Sequence, residues 1–246
     1  MKQIDKETQE KRDKKYNKFA RSYPCKIFLI ITILQGIVMG LNDYIVTLLS
    51  GDALIYFASM SFISMSLFFL LKFTIRDFSK LYPEKILFCD RLKPTTKLLY
   101  CNDCTFTEEQ KNEIRKKIKS KKNIDLQKFK VKTFRNKKYV KRINEAVSWL
   151  LDVCRFDYIL FDYNCIYGFW RNLTGALFLD VLFIFVLAVI NKWFYSLAFG
   201  NALFWIGIIM ILFTVLTTIL AYKNGKNFAK RLYDVFMNLN EDENNY

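Results

Sequence analysis

Two apolar blocks, residues 25–75 and 172–222, constrain the fold of this chain more than any other feature. About 20 mostly apolar residues suffice for a helix to cross a bilayer, so each block is long enough for two crossings. Turn-like breaks at residues 50–53 and 191–200 divide the blocks accordingly. The pattern predicts an all-α membrane protein with two transmembrane hairpins, four spans in total. The alternative, buried helices of a soluble protein, lacks enough remaining chain to cover four helices that are apolar all round.

The distribution of Lys and Arg predicts the orientation of these spans. Of the 38 basic residues, 9 lie within residues 1–26, 24 lie from Lys72 to Arg171 and 4 follow Tyr222, whereas the hairpin tips carry only Lys192. Cytoplasmic flanks are the basic ones, which places both termini and the middle segment in the cytoplasm. The Lys-, Asn- and Ile-rich composition is typical of a bacterium with an AT-rich genome, so the hairpins are expected in a bacterial inner membrane. In the reducing cytoplasm the six Cys are not expected to form disulfides. The expected regions are residues 1–24, 25–75, 76–170, 171–222 and 223–246.

The middle segment is strongly basic. Between Gln110 and Arg142 there are 15 Lys and Arg residues against two carboxylates, Glu113 and Asp125. One interpretation is a solvated face that only sets the topology. The other is a surface for an anion: a lipid headgroup, a nucleotide second messenger, RNA or an acidic soluble partner protein. The candidate binding residues are Arg115, Lys116, Lys117, Lys119, Lys121, Lys122, Arg135, Lys137, Lys138, Lys141 and Arg142.

Two helices are predicted within the middle segment. Thr107 and Gln110 have capping-box spacing, which indicates a helix start, and Asn123 follows the periodic residues as a stop signal. Apolar residues then recur at steps of three and four, which predicts one amphipathic helix from about residue 137 toward the third span. Its stripe consists of Val140, Ile143, Val147, Leu150, Cys154, Tyr158, Phe161 and Cys165.

Residues for common catalytic sites are scarce. The chain has no His, and it lacks the glycine-rich phosphate motifs and the nucleophile-elbow motif. Cys101 and Cys104 have the spacing of half a zinc site, but no second such pair accompanies them, so reduced structural cysteines are the preferred interpretation. We therefore expect a protein that is not an enzyme and that needs no cofactor or metal.

Small residues in the first block indicate close helix packing. Gly36 and Gly40 form a GxxxG motif, and the second span carries Ser59, Ser61 and Ser64. Such residues let helix backbones approach closely in lipid, either within one chain or between copies in a homo-oligomer. Both interpretations remain open.

Asp180 lies about 13 Å into the third span, counted from Arg171 at 1.5 Å per residue. A carboxylate at that depth is costly and should face protein or water. Two interpretations are open: the carboxyl is protonated, or it is hydrogen-bonded to a hydroxyl group of a neighbouring span. The hydroxyl groups in question belong to Ser59, Ser61, Ser64, Thr214, Thr217 and Thr218. With residues near the outer ends of the spans Asp180 forms either a polar path or a structural network, and these further residues are Asn42, Asp43, Asn191 and Asn201.

Residues 163–172 are predicted to form an elbow between the amphipathic helix and the third span. Aromatic and basic side chains there are typical of a headgroup-level anchor, and Gly168 permits a bend. The elbow residues are Tyr167, Gly168, Trp170, Arg171 and Asn172.

The segments KPTTKLLYCND at residues 93–103 and IYGFWRNL at residues 166–173 resemble two motifs of a family of uncharacterised bacterial four-span membrane proteins. The layout is also similar to membrane effectors of bacterial antiphage systems, in which a cytoplasmic sensing part triggers membrane disruption. The resemblance implies the two-plus-two arrangement of spans and transfers no functional residues. From Asp180, the elbow and the lack of catalytic residues we hypothesise an oligomeric, regulated pore or membrane-perturbing effector whose basic cytoplasmic region senses a ligand or partner. The resemblance implies antiphage defence as its setting. The alternatives are a non-conducting membrane anchor that recruits a soluble partner or nucleic acid, and a small transporter.

Overall fold

The computed structural model describes residues 6–38, 70–80, 93–99, 103–126, 137–194 and 200–239. All elements in these ranges are helical, as the apolar and amphipathic periodicities predict. In chain order they are α1 (Lys6–Tyr16), α2 (Tyr23–Val38), α3 (residues 70–80), α4 (Pro94–Leu98), α5 (Glu108–Lys122), α6 (Lys137–Val153), α7 (Tyr158–Phe194) and α8 (Gly200–Asn238). A π-helical segment, Asn17–Ser22, connects α1 to α2, and a 3₁₀ turn, Cys154–Phe156, follows α6.

Two described helices are long and apolar enough to cross a membrane. The candidate spans are Tyr158–Val189 in α7 and Leu203–Asn238 in α8, and they cover most of the predicted third and fourth spans. The predicted first and second spans fall largely on residues outside the described ranges; only Cys25–Val38 and residues 70–75 of them are described. Length and composition therefore support two candidate spans directly.

The chain divides into two compact units. Unit 1 comprises residues 1–14, 84–167 and 222–246, and unit 2 comprises residues 15–83 and 168–221. Helices α7 and α8 each contribute residues to both units.

The core of unit 1 is built from one face each of α5 and α6 and the C-terminal part of α8. Ile118, Ile143 and Leu150 are fully buried together with Leu232 and Phe236. The stripe predicted for α6 supplies most of the buried residues that this helix contributes to the core, because positions three and four residues apart share one face of a helix. Burial of large apolar side chains, each worth about 1.5–3 kcal/mol, is the main term that stabilises this unit.

Within unit 2, the buried residues lie where α2 and α3 pack against α7. Cys25, Ile75 and Ala176 form one small cluster, and a second cluster around Leu177 and Met210 joins α7 to α8. Most large apolar side chains of α8 in this unit remain exposed, among them Trp205, Leu212 and Phe213. An apolar helix with so much exposed surface requires lipid or another apolar partner around it.

Candidate functional site

The start and end of α5 follow the predicted signals. Thr107 Oγ1 accepts a hydrogen bond from the Gln110 amide at 3.3 Å, and the Gln110 side chain accepts one from the Thr107 amide at 3.0 Å, which completes the capping box. At the other end Asn123 adopts the left-handed conformation with φ 56°. Asn tolerates that conformation better than most residues, so it terminates the helix. The predicted bounds of this basic helix are confirmed.

Two cations of α5 point into unit 1, although charge of this density was expected to stay at the surface. Lys111 is 1% exposed, and its ammonium donates to the Asp103 carbonyl oxygen and to Glu108. Arg115 is 4% exposed and donates to the Leu99 carbonyl at 3.0 Å. Burial of a charge is tolerated when such acceptors replace water. The hydrogen bond from Lys111 also holds the pKa of the Glu108 carboxyl below its usual value.

Lys117 attaches α5 to the end of α8. Its ammonium donates to the carbonyls of Met237 at 2.7 Å and Leu239 at 3.0 Å, and it lies 5.3 Å from the centre of the Phe236 ring. The last carbonyls of a helix lack partners within the helix, so a Lys is a favourable cap there. Arg115 and Lys117, both candidates for binding an anion, therefore have structural contacts inside unit 1.

The remaining candidate cations are mostly at the surface. Lys119 pairs with Asp125 at 3.0 Å, Lys121 and Arg142 are half-buried, and Arg135 and the side chain of Lys137 lie outside the described residues. The exposed cations of α5 and α6 are Lys116, Lys119, Lys122, Lys138 and Lys141. We call these five residues the basic surface.

The break between the amphipathic helix and the candidate span lies earlier than the predicted elbow. Helix α7 is continuous from Tyr158 through Gly168, whereas the chain leaves helical geometry at Asp157, where ψ is 121°. The Asp157 carboxylate accepts a hydrogen bond from the Leu160 amide at 2.5 Å, an N-cap contact, and pairs with Arg231 at 3.1 Å. Asp is a favoured N-cap residue. The N-cap residue Asp157, which the apolar periodicity does not reveal, marks the start of α7.

Other contacts hold this break in place within unit 1. The Arg12 guanidinium donates to the carbonyls of Arg155 and Phe156 and lies 5.3 Å from the centre of the Phe161 ring. Cys154 packs beside the Leu232 carbonyl, and burial raises the pKa of its thiol to about 12, so it is protonated at neutral pH. The break is thus a fixed structural junction.

Gly168 has a different role from the predicted bend. A Cβ at this position would lie 2.9 Å from Ala20 Cβ and 3.0 Å from the Tyr16 hydroxyl, so the missing side chain permits close approach of α7 to the π-helical segment. The next turn repeats the contact, because the Asn172 side chain donates to the Ala20 carbonyl at 2.6 Å. Of the other predicted elbow residues, Tyr167 is buried against Phe228, whereas Trp170 and Arg171 are half-buried.

Asp180 is fully buried in unit 2 and bonded to a residue that the sequence pattern did not single out. Its Oδ2 accepts a hydrogen bond from Gln35 Nε2 at 2.6 Å, and Gln35 is 7% exposed. Its Oδ1 is buried and accepts no hydrogen bond within the described residues. Gln35 is a lone amide in an otherwise apolar run of α2, the same signal that identified Asp180. A buried carboxylate with an unsatisfied oxygen is energetically expensive.

The expected partners of Asp180 are placed elsewhere or are not described. The hydroxyl groups of Thr214, Thr217 and Thr218 each donate to a carbonyl of their own helix. Most other residues expected in the polar path or in helix packing lie outside the described residues: Gly40, Asn42, Asp43, Ser59, Ser61 and Ser64. Gly36, Asn191 and Asn201 lie in helices, and the structure describes their backbone but not their side-chain environment.

The possible half zinc site receives no support from the described residues. Cys104 is exposed, and Cys101 lies outside the described ranges. Within those ranges no group of three or more metal-binding side chains occurs.

Comparisons with known proteins add no family assignment. The chain matches no family model, no curated protein and no solved structure. The proposals below therefore depend on the geometry of its own residues.

Proposed function

We propose that this chain is a four-span protein of the bacterial inner membrane that acts as an oligomeric, regulated pore or membrane-perturbing effector. In this proposal Asp180 and Gln35 form a closed polar contact in the resting state. Two candidate spans and the exposed apolar surface of α8 support the membrane location. The architectural resemblance to antiphage effectors suggests bacterial defence as the setting.

The observation that carries the proposal is the burial of Asp180 within a candidate span. A carboxylate in the middle of a membrane helix costs about 2.5–3.5 kcal/mol on insertion scales, and such residues usually mark ion or proton pathways. Gln35 satisfies one carboxylate oxygen and leaves the other without a described donor. An apolar residue would stabilise a purely structural helix contact better. The presence of a carboxylate here favours a role in a second state, in which it meets water or an ion.

The proposed change of state separates Gln35 from Asp180. A ligand or partner bound at the basic surface would act on unit 1, where Asp157, Arg12 and Arg231 fix the start of α7. Because α7 is an uninterrupted helix from Tyr158 to Phe194, displacement of its first turns is transmitted along its axis. Movement of Asp180 away from Gln35 would then expose the carboxylate to the proposed polar path across the membrane.

The test uses membrane potential and dye uptake in bacteria that express the protein without any added trigger. Gln35→Leu leaves the carboxylate buried without its donor, at a cost of about 1–3 kcal/mol, so the closed state should lose about 5- to 150-fold in relative population. We expect this variant to depolarise the cells. Asp180→Leu, and the double variant Gln35→Leu with Asp180→Leu, should leave the potential intact because both lack the carboxyl group that is proposed to line the conducting path.

Membrane levels of all variants are matched by fractionation before the comparison. The pore proposal is wrong if Gln35→Leu reaches the wild-type level in the membrane and the potential stays intact. Equal depolarisation by the single and double variants would also contradict it, because the leak would then not depend on the unpaired carboxylate.

A second candidate function is a non-conducting membrane anchor that recruits an acidic partner or nucleic acid. The observation that favours it is the basic surface, whose five cations remain exposed after Lys111, Arg115 and Lys117 have been used inside unit 1. Replacement of Lys116, Lys119 and Lys122 by Gln should then abolish partner binding. Under this alternative Asp180→Leu leaves function unchanged, which separates the two candidates.

A further inference from the structure

Four cations outside the basic surface lie at the ends of apolar helix segments in unit 2. Arg21 precedes the apolar run of α2, and Arg171 precedes that of α7. Arg76 and Lys80 follow the apolar start of α3. Each of the four cations therefore lies next to one end of an apolar run.

Direct contacts between the helices bring these ends together. Next to Arg171, Asn172 donates a hydrogen bond to the carbonyl of Ala20, the residue before Arg21. One turn further along α7, Gly175 lies against Ser79, the residue before Lys80; a Cβ on this glycine would be 3.0 Å from the α-carbon of Ser79. These contacts between immediate sequence neighbours place the backbones of Arg21, Lys80 and Arg171 close together.

The electrostatic environment of Lys80 reflects this convergence. Partial burial, and then the positive charges of Arg76, Arg171 and Arg21, lower the pKa of the Lys80 ammonium. Among the described residues, Asp77 is the acidic group that raises it. Among the described groups that act on Lys80, the positive charges outnumber the single carboxylate, and an anion placed among like charges lowers their mutual repulsion.

Aromatic rings surround the same helix ends. Phe19 contacts Tyr23 and Phe169 with ring centres 5.7 and 5.5 Å apart, and Phe169 contacts Trp170 at 5.1 Å. Aromatic residues next to Lys and Arg at the end of an apolar helix are typical of the level of lipid headgroups. This position favours an anion that is part of the membrane over one dissolved in water.

We propose that Arg21, Arg76, Lys80 and Arg171 form a binding site for the phosphate group of an anionic phospholipid. Basic pockets between spanning helices on the cytoplasmic side bind such headgroups in other membrane proteins. The proposal rests on the membrane location in the proposed function and is independent of conduction. It also gives these cations a role separate from that of the basic surface.

The test measures lipid binding to the purified full chain in neutral detergent. Phosphatidylglycerol and phosphatidylcholine are added separately, and the lipid-bound fraction is read by native mass spectrometry. Each Lys or Arg near an anionic lipid surface contributes enough binding energy to change affinity about fivefold. The wild type should prefer phosphatidylglycerol, and Lys80→Gln and Arg76→Gln should each lower its affinity about fivefold with phosphatidylcholine binding unchanged.

Lys26→Gln is the matched control. Lys26 is exposed on α2, carries the same charge and is not among the groups that act on Lys80. Its replacement should leave the preference for phosphatidylglycerol intact. A third arm adds inorganic phosphate, which should not displace the lipid at concentrations that leave the protein folded.

Three outcomes would overturn the proposal. The first is equal binding of both lipids by the wild type, and the second is an equal loss in Lys26→Gln and Lys80→Gln. The third is complete displacement of lipid by inorganic phosphate, which would assign the site to a soluble anion. Because no outcome involves membrane potential, failure here leaves the pore proposal standing, and failure of the pore test leaves the lipid site standing.

Discussion

Replacement of Gly175 by Ala should separate α7 from α3. A Cβ added at this position would overlap Ser79 Oγ and would lie 2.9 Å from the β-carbon and 3.0 Å from the α-carbon of Ser79. The hydroxyl cannot rotate away without loss of its hydrogen bond to the Ile75 carbonyl. The α-carbon belongs to the backbone and has no rotamer that would relieve the overlap, so the two helices must move apart.

The magnitude follows from the cost of overpacking. Extra methyl groups forced into a packed contact typically destabilise by about 1–3 kcal/mol, and loss of the Ser79 hydrogen bond adds about 1 kcal/mol. For a chain of this size a loss of about 2–4 kcal/mol lowers the unfolding midpoint by about 4–16 °C. The assay is thermal unfolding of the purified protein in detergent, followed by the fraction that remains monodisperse after heating.

The chain contains a matched control for this substitution. Among the described residues, a Cβ on Gly207, also in a helix of unit 2, would meet Ile184 Cγ2 alone, at 3.6 Å, an ordinary contact. Gly207→Ala should therefore leave the midpoint unchanged or raise it, since Ala is the better helix former. A second variant, Ser79→Gly with Gly175→Ala, should recover part of the loss because the overlapping side chain is gone. Unchanged stability of Gly175→Ala alone would refute the close packing of α7 on α3.

Three further outcomes are expected for unit 1, all measured as unfolding midpoints of the purified chain. Thr107→Ala removes the cap of α5 and should destabilise by about 1 kcal/mol, whereas Thr107→Ser should restore most of it; equal midpoints would contradict the capping box. Tyr233→Phe deletes a buried hydroxyl that donates to the Thr95 carbonyl at 2.5 Å and should cost about 1–3 kcal/mol, because that carbonyl loses its donor; no change would mean that water replaces the hydroxyl. The hydrogen bond from Lys111 lowers the pKa of Glu108, so this contribution is present above the carboxyl's ordinary pKa of 4.5 and is lost as pH falls through the lowered value. Glu108→Gln should accordingly show a smaller fall in midpoint on acidification than the wild type, and parallel pH profiles would exclude the pair as a contributor.

The stripe of α6 shows how far periodicity predicts burial. Ile143, Val147, Leu150 and Cys154 are buried as expected, but the next predicted member, Tyr158, is 61% exposed. The helix ends after Val153, and the chain restarts helical geometry beyond Asp157, so the helical phase is reset. A periodic pattern cannot reveal such a reset, because apolar residues on both sides of the break still fall three or four apart.

The partner of Asp180 is a contact that could not be assigned from sequence. Gln35 is 145 positions away in the chain, and hydroxyl groups were the expected donors. The Thr hydroxyls of α8 instead bond to carbonyls of their own helix, which satisfies them without any neighbour. A Gln amide does not readily donate to a carbonyl of its own helix as a Thr hydroxyl does. Gln35 can therefore donate to a residue of a neighbouring helix.

The sequence by itself determined the helical class, both ends of α5, the apolar segments within α7 and α8, and the presence of an expensive carboxylate at Asp180. Each of these follows from local chemistry: hydrophobic period, capping residues and the cost of charge in an apolar helix. Only the tertiary structure decided that Lys111 and Arg115 are buried, that Gln35 meets Asp180 and that Ser79 lies against Gly175. The physical reason is that these contacts form between helices that are distant in the sequence. Which surfaces of two such helices meet depends on the packing of the whole unit and not on local sequence.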